Sequence, residues 1–196
     1  MKRRFFLSAV VFAAAIFTVS GAVAPGIQSA TAQSAKQERA LENTLYLDLK
    51  DGRVTIKMRP DLAPNHVARI KELVREGFYD GIVFHRVIDG FMAQTGDPTG
   101  TGTSGSGQNL NAEFSLENHK RGIVSMARAQ LPDSADSQFF IVFDDASFLD
   151  NQYTVWGEVT DGMEYVDMIK KGAPGSGAVD DPDKIIKMQM AADAEK

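Results

Sequence analysis

Residues 45–58, LYLDLKDGRVTIKM, give the first indication of the fold. Apolar side chains alternate with polar ones on both sides of Asp51-Gly52, as they do in strands that bury one face. An Asp-Gly pair between two such runs predicts a two-residue turn with positive φ at both central positions. The sequence therefore predicts that the domain opens with an antiparallel β-hairpin.

The remainder of the chain contains further short strand patterns and two helical ones. A helix is predicted from Pro64, which suits a first helical position, to near Gly77, and a second over residues 163–170. Strands are predicted from β-branched and aromatic runs at two places within 82–92 and at 123–127, 139–143, 153–159 and 185–190. Many short strands with two helices favour an all-β barrel or sandwich over a parallel α/β sheet.

The first 32 residues differ in kind from the rest. Basic residues at positions 2–4 precede an apolar run over residues 5–24, and no acidic residue occurs before Glu38. This order is typical of an export signal, and Ala30-Thr31-Ala32 supplies the small residues that a signal peptidase recognises. We therefore predict a signal cleaved before Gln33.

The predicted domain organisation follows from this signal. Residues 33–42 are polar and lack apolar periodicity, which indicates a flexible lead into the domain. The predicted parts are a signal peptide over 1–32, the lead over 33–42 and one domain over 43–196.

Two alternatives to an ordinary cleaved signal remain open. The run over residues 5–24 is long enough to stay as a membrane anchor, although its serine, threonine and glycine residues weaken it. Arg3-Arg4 before Phe5-Phe6-Leu7 also resembles the twin-arginine motif, which would imply export in a folded state. Both export routes deliver the protein to the same side of the membrane.

Composition and charge exclude several classes of protein. The chain has 43% hydrophobic and 24% charged residues, as globular domains do, and it has no cysteine for a disulfide, a thiolate metal site or a nucleophile. Removal of residues 1–32 takes away three basic residues and no acidic ones, leaving 18 basic and 26 acidic residues and a net charge of −8. A chain this acidic is a poor partner for nucleic acid.

Other motifs carry little functional signal. Gly100, Gly102 and Gly105 spell G-x-G-x-x-G, but no strand-turn-helix pattern surrounds them, so a mobile surface loop is expected rather than a nucleotide site. The three histidines lack metal-site spacing, and no metal or cofactor is predicted. The serines lie outside G-x-S-x-G, and Asp133, Asp136, Asp144 and Asp145 flank polar turns without an acid/base partner, so hydrolysis is not indicated.

The stretch FHRVIDGFMAQ, residues 84–94, stands out because an arginine and a glutamine bracket aromatic and thioether side chains. Ordinary strand core is the simpler interpretation. However, if the strands alternate, His85 and Arg86 point to opposite faces, and at least one polar group must meet water or a pocket.

Three ordered motifs make the chain similar to the cyclophilins, the barrel-type family of peptidyl-prolyl isomerases. They are FHRVI with GFMAQ at 84–94, SQFFI at 137–141, and FLD at 148–150 followed by VWG at 155–157. The similarity covers about residues 43–190, and the chain most resembles exported bacterial members. The resemblance implies a closed eight-stranded antiparallel barrel capped by two helices.

The resemblance also implies the site. It makes Arg86 the catalytic residue and assigns substrate binding to Phe91, Met92, Gln94, Ala127, Arg128, Ala129, Gln138, Phe140, Phe148, Leu149 and Tyr153. Phe148, Tyr153 and Arg128 depart from the tryptophan, histidine and asparagine that many members carry at these positions. A phenylalanine has no N–H with which to bind cyclosporin, whereas isomerase activity is expected to tolerate the three departures.

The function implied is acceleration of rotation about Xaa-Pro bonds in exported proteins that fold in the periplasm. The expected partners are proline-containing polypeptides, without nucleic acid, without a membrane after signal cleavage and with the protein as a monomer. The alternative is a proline-recognising chaperone or assembly module with little turnover. A barrel that binds small ligands or sugars has no supporting motif.

Overall fold

The computed structural model describes residues 25–194, which form an eight-stranded antiparallel sheet with helices at its ends. The helices are α1 (Pro25–Glu42), α2 (Pro64–Arg75), α3 (Met163–Asp167) and α4 (Ala191–Ala194). The strands are β1 (Thr44–Asp48), β2 (Arg53–Met58), β3 (Arg86–Ile88), β4 (Met92–Thr95), β5 (Ile123–Met126), β6 (Phe139–Val142), β7 (Val155–Asp161) and β8 (Lys187–Met190). The predicted mainly β architecture is confirmed.

The predicted hairpin is present, but its turn differs from the prediction. β1 and β2 pair from Thr44↔Lys57 to Asp48↔Arg53, and backbone hydrogen bonds in both directions join Leu49 to Gly52. The loop residues are therefore Lys50 and Asp51, and Gly52 does not have positive φ. Gly52 is required for another reason, since a Cβ there would lie 2.5 Å from the ring of Tyr165.

The sheet is an open, curled half-barrel, so the predicted closed barrel is wrong. The strand order is β3-β4-β6-β5-β7-β2-β1-β8, and within residues 25–194 no ladder joins β3 to β8. The free edge of β3 is covered instead by residues 172–179, here called the edge segment. Val87 N donates to Gly177 O, and Val87 O accepts a hydrogen bond from Gly172 N, so irregular chain takes the place of a closing strand.

The sheet buries a core on each of its two faces. Successive residues of a strand point to opposite faces. On β6, Phe139 and Ile141 join the main core, whereas Phe140 and Val142 join a second, smaller cluster. The second cluster consists of Met92, Ile123, Phe140, Val142, Ala146, Leu149 and Val155. We call the face that carries this cluster the site face.

The helices agree with the sequence in part. α2 begins at Pro64, and Gly77, with φ of +70°, follows its last turn as predicted. α3 is shorter than the predicted 163–170 and ends at Asp167. Residues 33–42, predicted to form a flexible lead, belong to α1 in this structure.

The predicted export signal falls mainly on residues 1–24, which lie outside the described residues. Among residues 25–194, no helix combines the length and the apolar character needed to cross a bilayer.

Candidate active site

Strand register aligns the central site residues in one row across the sheet. Arg86 on β3 pairs with Gln94 on β4, Gln94 pairs with Phe140 on β6, and Phe140 pairs with Ser125 on β5. Paired residues of adjacent antiparallel strands point to the same face. Three neighbouring strands thus place a guanidinium, an amide and an aromatic ring side by side on the site face.

A pocket of about 110 Å³ opens beside this row. Its walls combine apolar side chains with two guanidinium groups and one amide. We call it the small pocket, and it is lined by Arg86, Phe91, Met92, Gln94, Ala127, Arg128, Phe140, Leu149 and Tyr153. The structure therefore brings together nine of the residues that the sequence assigned to the site.

The Arg86 side chain is oriented by neutral hydrogen-bond acceptors. Its Nη1 donates to Gln94 Oε1 at 3.2 Å, and its Nε donates to the Ser176 carbonyl at 3.2 Å. Within the described part of the chain, Arg86 forms no ion pair and its Nη2 makes no hydrogen bond. Donor groups of a fixed, positively charged fork are thus left beside the pocket.

A chain of amide hydrogen bonds continues from Arg86 to the neighbouring loop. Gln94 Nε2 donates to Gln138 Oε1 at 2.9 Å, and Gln138 Nε2 donates to Ser104 O at 2.7 Å. Because each amide donates onward, the Gln94 carbonyl oxygen is directed at Arg86. The two predicted glutamines therefore orient the Arg86 side chain.

A second cavity of about 420 Å³, here called the large pocket, adjoins the small one and shares three of its residues. The shared residues are Gln94, Ala127 and Arg128. Of the other predicted residues, Ala129 and Gln138 line the large pocket rather than the small one. Phe148 lines neither, being 64% exposed, with its ring centroid 5.2 Å from that of Phe91.

The wall of the large pocket includes part of the glycine-rich loop, residues 96–107. Two aspartates hold this loop. Asp97 accepts hydrogen bonds from Thr99 and Ser104, and Asp136 accepts them from Ser106 and Gly107. The sequence pattern predicts a mobile surface loop, and it does not indicate either of these two anchoring aspartates.

The electrostatics of Asp97 show how firmly the loop is tied. Burial opposes ionisation of its carboxyl group, but hydrogen bonds from Thr99, Ser104 and Gly102 outweigh burial and lower its pKa to about 2. The ionised form therefore holds the loop at neutral pH.

Behind the small pocket lies a hydrogen-bonded arrangement that sequence reasoning missed, in which a histidine and a serine are buried and an aspartate is partly exposed. His119 Nδ1 lies 3.0 Å from Asp150 Oδ1, and His119 Nε2 lies 3.0 Å from Ser125 Oγ. The His119 ring stacks on Phe140, with centroids 6.3 Å apart and planes at 21°. The only sequence signal was Asp150 in the FLD motif, which lies 31 residues after His119.

This serine, histidine and aspartate have the order of a hydrolase triad but cannot perform its chemistry. Ser125 is fully buried, and its Oγ donates to the Thr154 carbonyl at 2.9 Å. A nucleophile must reach its substrate. The arrangement instead supports the Phe140 wall from behind. Among residues 25–194, no group of three or more metal-ligating side chains occurs.

Comparisons with known proteins agree with this geometry. Residues 44–190 match the family described as cyclophilin type peptidyl-prolyl cis-trans isomerase/CLD. A probable peptidyl-prolyl cis-trans isomerase of Brucella suis is 57% identical over 167 residues, which cover 79% of this chain and 85% of that protein. Peptidyl-prolyl cis-trans isomerase B of Bacillus subtilis is 42% identical over 132 residues, covering 66% and 92%.

Solved structures give the same result. A cyclophilin from Hirschia baltica superposes with a TM-score of 0.68 at 28% identity, covering 76% of this chain and 74% of that one. A cyclophilin type isomerase of Cryptosporidium parvum, crystallised in the presence of the dipeptide Ala-Pro, has a TM-score of 0.69 at 27% identity, covering 75% and 98%.

The chain therefore belongs to the cyclophilin-type peptidyl-prolyl cis-trans isomerase family. Its activity is cis-trans isomerisation of peptidyl-prolyl bonds, and the family implies proline-containing peptides as substrates.

Proposed function

We propose that isomerisation takes place at the small pocket with Arg86 as the catalytic residue, and that the protein assists the folding of exported proteins in the periplasm as a monomer. The observation that carries the first part is the Arg86 guanidinium, which Gln94 and Ser176 hold beside the small pocket with N–H donors left unpaired. The second part rests on the sequence of residues 1–32, which also makes the chain resemble exported bacterial members.

The chemistry requires no covalent step. Rotation about a peptide bond has a barrier of about 18 to 20 kcal/mol because the C–N bond has partial double-bond character. A site that binds the twisted amide more tightly than either planar isomer lowers this barrier. In the twisted amide the proline nitrogen becomes pyramidal and regains a lone pair, which a guanidinium N–H can hydrogen-bond.

The side chains around Arg86 would supply the remaining stabilisation. One charge-assisted hydrogen bond contributes about 1.5 to 3 kcal/mol. Met92 and Phe140, both nearly fully buried, form apolar walls that can hold the proline ring and exclude water. The main chain at Ala127–Ala129, which borders both pockets, is placed to bind the substrate backbone.

The test replaces Arg86 with Ala and measures the acceleration of a refolding reaction whose slow phase is prolyl isomerisation. Loss of a single preorganised transition-state donor typically costs about 10²- to 10³-fold in rate, so a loss of this order in kcat/KM is expected. Arg39→Ala is the matched control, because Arg39 is an exposed arginine on α1 away from both pockets. Circular dichroism of all three proteins checks the fold.

Equal acceleration by the wild type and Arg86→Ala would overturn the assignment. If neither protein accelerated refolding while both bound proline peptides, the alternative of a proline-recognising chaperone or assembly module would be favoured.

The export proposal has its own test. Protein recovered from the periplasm should begin near Gln33, as determined by N-terminal sequencing. Cleavage there would remove the first eight residues of α1, from Pro25 to Ala32, and leave Gln33–Glu42 on the domain. An intact N-terminus in a membrane fraction would favour a retained anchor instead.

A further inference from the structure

Arg128 occupies the boundary between the two pockets. It is half-buried and lines both the small and the large pocket. Its Cζ atom lies 4.7 Å from the centroid of the Tyr153 ring, which places the guanidinium over a wall of the small pocket. A peptide that extends from the small pocket into the large one must pass this group.

The Arg128 guanidinium is held only by neutral groups. Nε donates to Gln152 O at 3.1 Å, and Nη1 donates to Ala129 O and Gln130 O, each at 2.9 Å. Within the described part of the chain, Arg128 forms no ion pair and its Nη2 makes no hydrogen bond. The positive charge is therefore fixed in place without a carboxylate to neutralise it.

Neither of the other charged residues that line the two pockets, Asp136 and Arg86, forms an ion pair with Arg128. Asp136 lines the large pocket, but its two oxygens accept hydrogen bonds from Ser106 and Gly107 of the glycine-rich loop. Arg86, on the far side of the small pocket, is also positive. Both glutamines of the site, Gln94 and Gln138, are neutral. Among the described residues that line the large pocket, Arg128 is the one that carries a positive charge, so an acidic side chain entering the pocket would meet it.

We propose that Arg128 makes this isomerase selective for substrates that carry an acidic side chain close to the proline, at the residue that reaches the large pocket. This inference rests on the proposed site. A carboxylate at that residue pairs with the free side of the guanidinium, whereas a lysine there is repelled. Because Arg128 is partly exposed, the preference depends on ionic strength.

The experiment measures kcat/KM for short proline peptides that differ in one residue. One series carries Glu, Gln or Lys two positions before the proline, and a second series carries the same residues directly after it. The enzymes are the wild type, Arg128→Gln and Arg128→Lys. Lys187→Gln is the matched control, because it removes one exposed positive charge on β8, several strands away from β5 in the sheet order.

In at least one series, the wild type should prefer Glu over Gln by about two- to fivefold, as expected for a partly exposed ion pair. The preference should fade when ionic strength rises from about 0.01 M to about 1 M, which shortens the Debye length from about 30 Å to about 3 Å. Arg128→Lys should keep a reduced preference, Arg128→Gln should lose it, and Lys187→Gln should retain it.

The ratio between peptides separates charge selectivity from a merely structural role. Arg128 also donates hydrogen bonds to neighbouring backbone carbonyl groups, so its replacement can slow turnover of every peptide. A general slowing of this kind would leave the ratio of kcat/KM between the Glu and Gln peptides unchanged. A ratio near one in both wild-type series, or an unchanged preference in Arg128→Gln, would overturn the proposal. Absence of wild-type activity on the Gln peptides would instead contradict the proposed function.

Discussion

Replacement of Asp150 with Asn tests whether the buried support behind the small pocket stabilises the fold. Asp150 accepts three hydrogen bonds, from His119 N at 2.7 Å, from His119 Nδ1 at 3.0 Å and from Asn118 Nδ2 at 2.6 Å. It follows Leu149, which lines the small pocket. The carboxylate thus connects a pocket residue to the His119 ring that stacks on Phe140.

The expected cost follows from these three bonds. An asparagine in the same rotamer keeps one carbonyl oxygen for both His119 donors, but its NH₂ group then faces the NH₂ group of Asn118. One charge-assisted bond, worth about 1.5 to 3 kcal/mol, is lost, and the other two fall to the strength of neutral bonds. Since Asn118 is exposed and can turn to water, we expect the free energy of unfolding to fall by about 2 to 3 kcal/mol. This corresponds to a decrease in Tm of about 5 to 10 °C for a domain of this size.

The pH dependence gives a second, independent readout. Hydrogen bonds from His119 and Asn118 lower the pKa of Asp150 below its usual value. A carboxyl group with a lowered folded-state pKa stabilises the protein fully above its unfolded pKa of about 3.9, and that contribution is lost as the pH falls through the folded pKa. The difference between wild type and Asp150→Asn should therefore be constant near neutral pH and should shrink below about pH 4.

Urea unfolding followed by circular dichroism at several pH values measures both effects, with Asp161→Asn as the matched control. Asp161 is an exposed aspartate on β7, and its replacement should change stability by less than about 0.5 kcal/mol. The reasoning would be refuted if Asp150→Asn were as stable as this control at pH 7, or if its deficit did not change with pH. A loss of kcat/KM with normal stability would show that the carboxylate positions the pocket without stabilising the fold.

Two further predictions concern the pocket wall and the loop beside it. Phe140→Ala, which truncates a buried ring, should cost about 3 to 5 kcal/mol of stability and weaken the binding of proline peptides in calorimetric titration; unchanged affinity would place the pocket elsewhere. Asp97→Asn should cost about 2 kcal/mol at pH 7 and almost nothing near pH 2, because the lowered pKa of about 2 makes the contribution of Asp97 present above about pH 3.9 and absent once it is protonated. Urea unfolding at the two pH values measures this, and an equal deficit at both would contradict it.

Local pattern was sufficient to predict most of the strands. Alternation and β-branched runs placed β1, β2 and β5 to β8 within a few residues, because each has a buried face that the sequence records directly. Proline and glycine indicated where α2 begins and ends, because both residues act through local backbone geometry. Contacts between residues far apart in the chain could not be predicted from local sequence patterns. The ring of Tyr165, more than a hundred residues away in sequence, explains Gly52 better than the turn rule does.

Site residues could be predicted from the sequence only where they belong to a recognisable motif. Arg86, Phe140 and Leu149 belong to three such motifs, and the structure brings them to one pocket. The groups that hold them did not stand out, because a buried histidine and a loop-anchoring aspartate have no spacing rule. Their partners are set by register and by loops, which only the folded chain defines.

The open edge of the sheet and the orientation of Arg86 are connected. A closing strand along β3 would place a regular ladder beside Arg86. The edge segment instead brings Ser176 O to Arg86 Nε and Gly177 O to Val87 N. Gly177 has φ of +73°, and a Cβ there would lie 2.5 Å from Ile88 and 3.2 Å from the Arg86 side chain, so this close approach requires glycine. The edge segment that covers the open edge of β3 thus also supplies one of the two acceptors that orient the guanidinium.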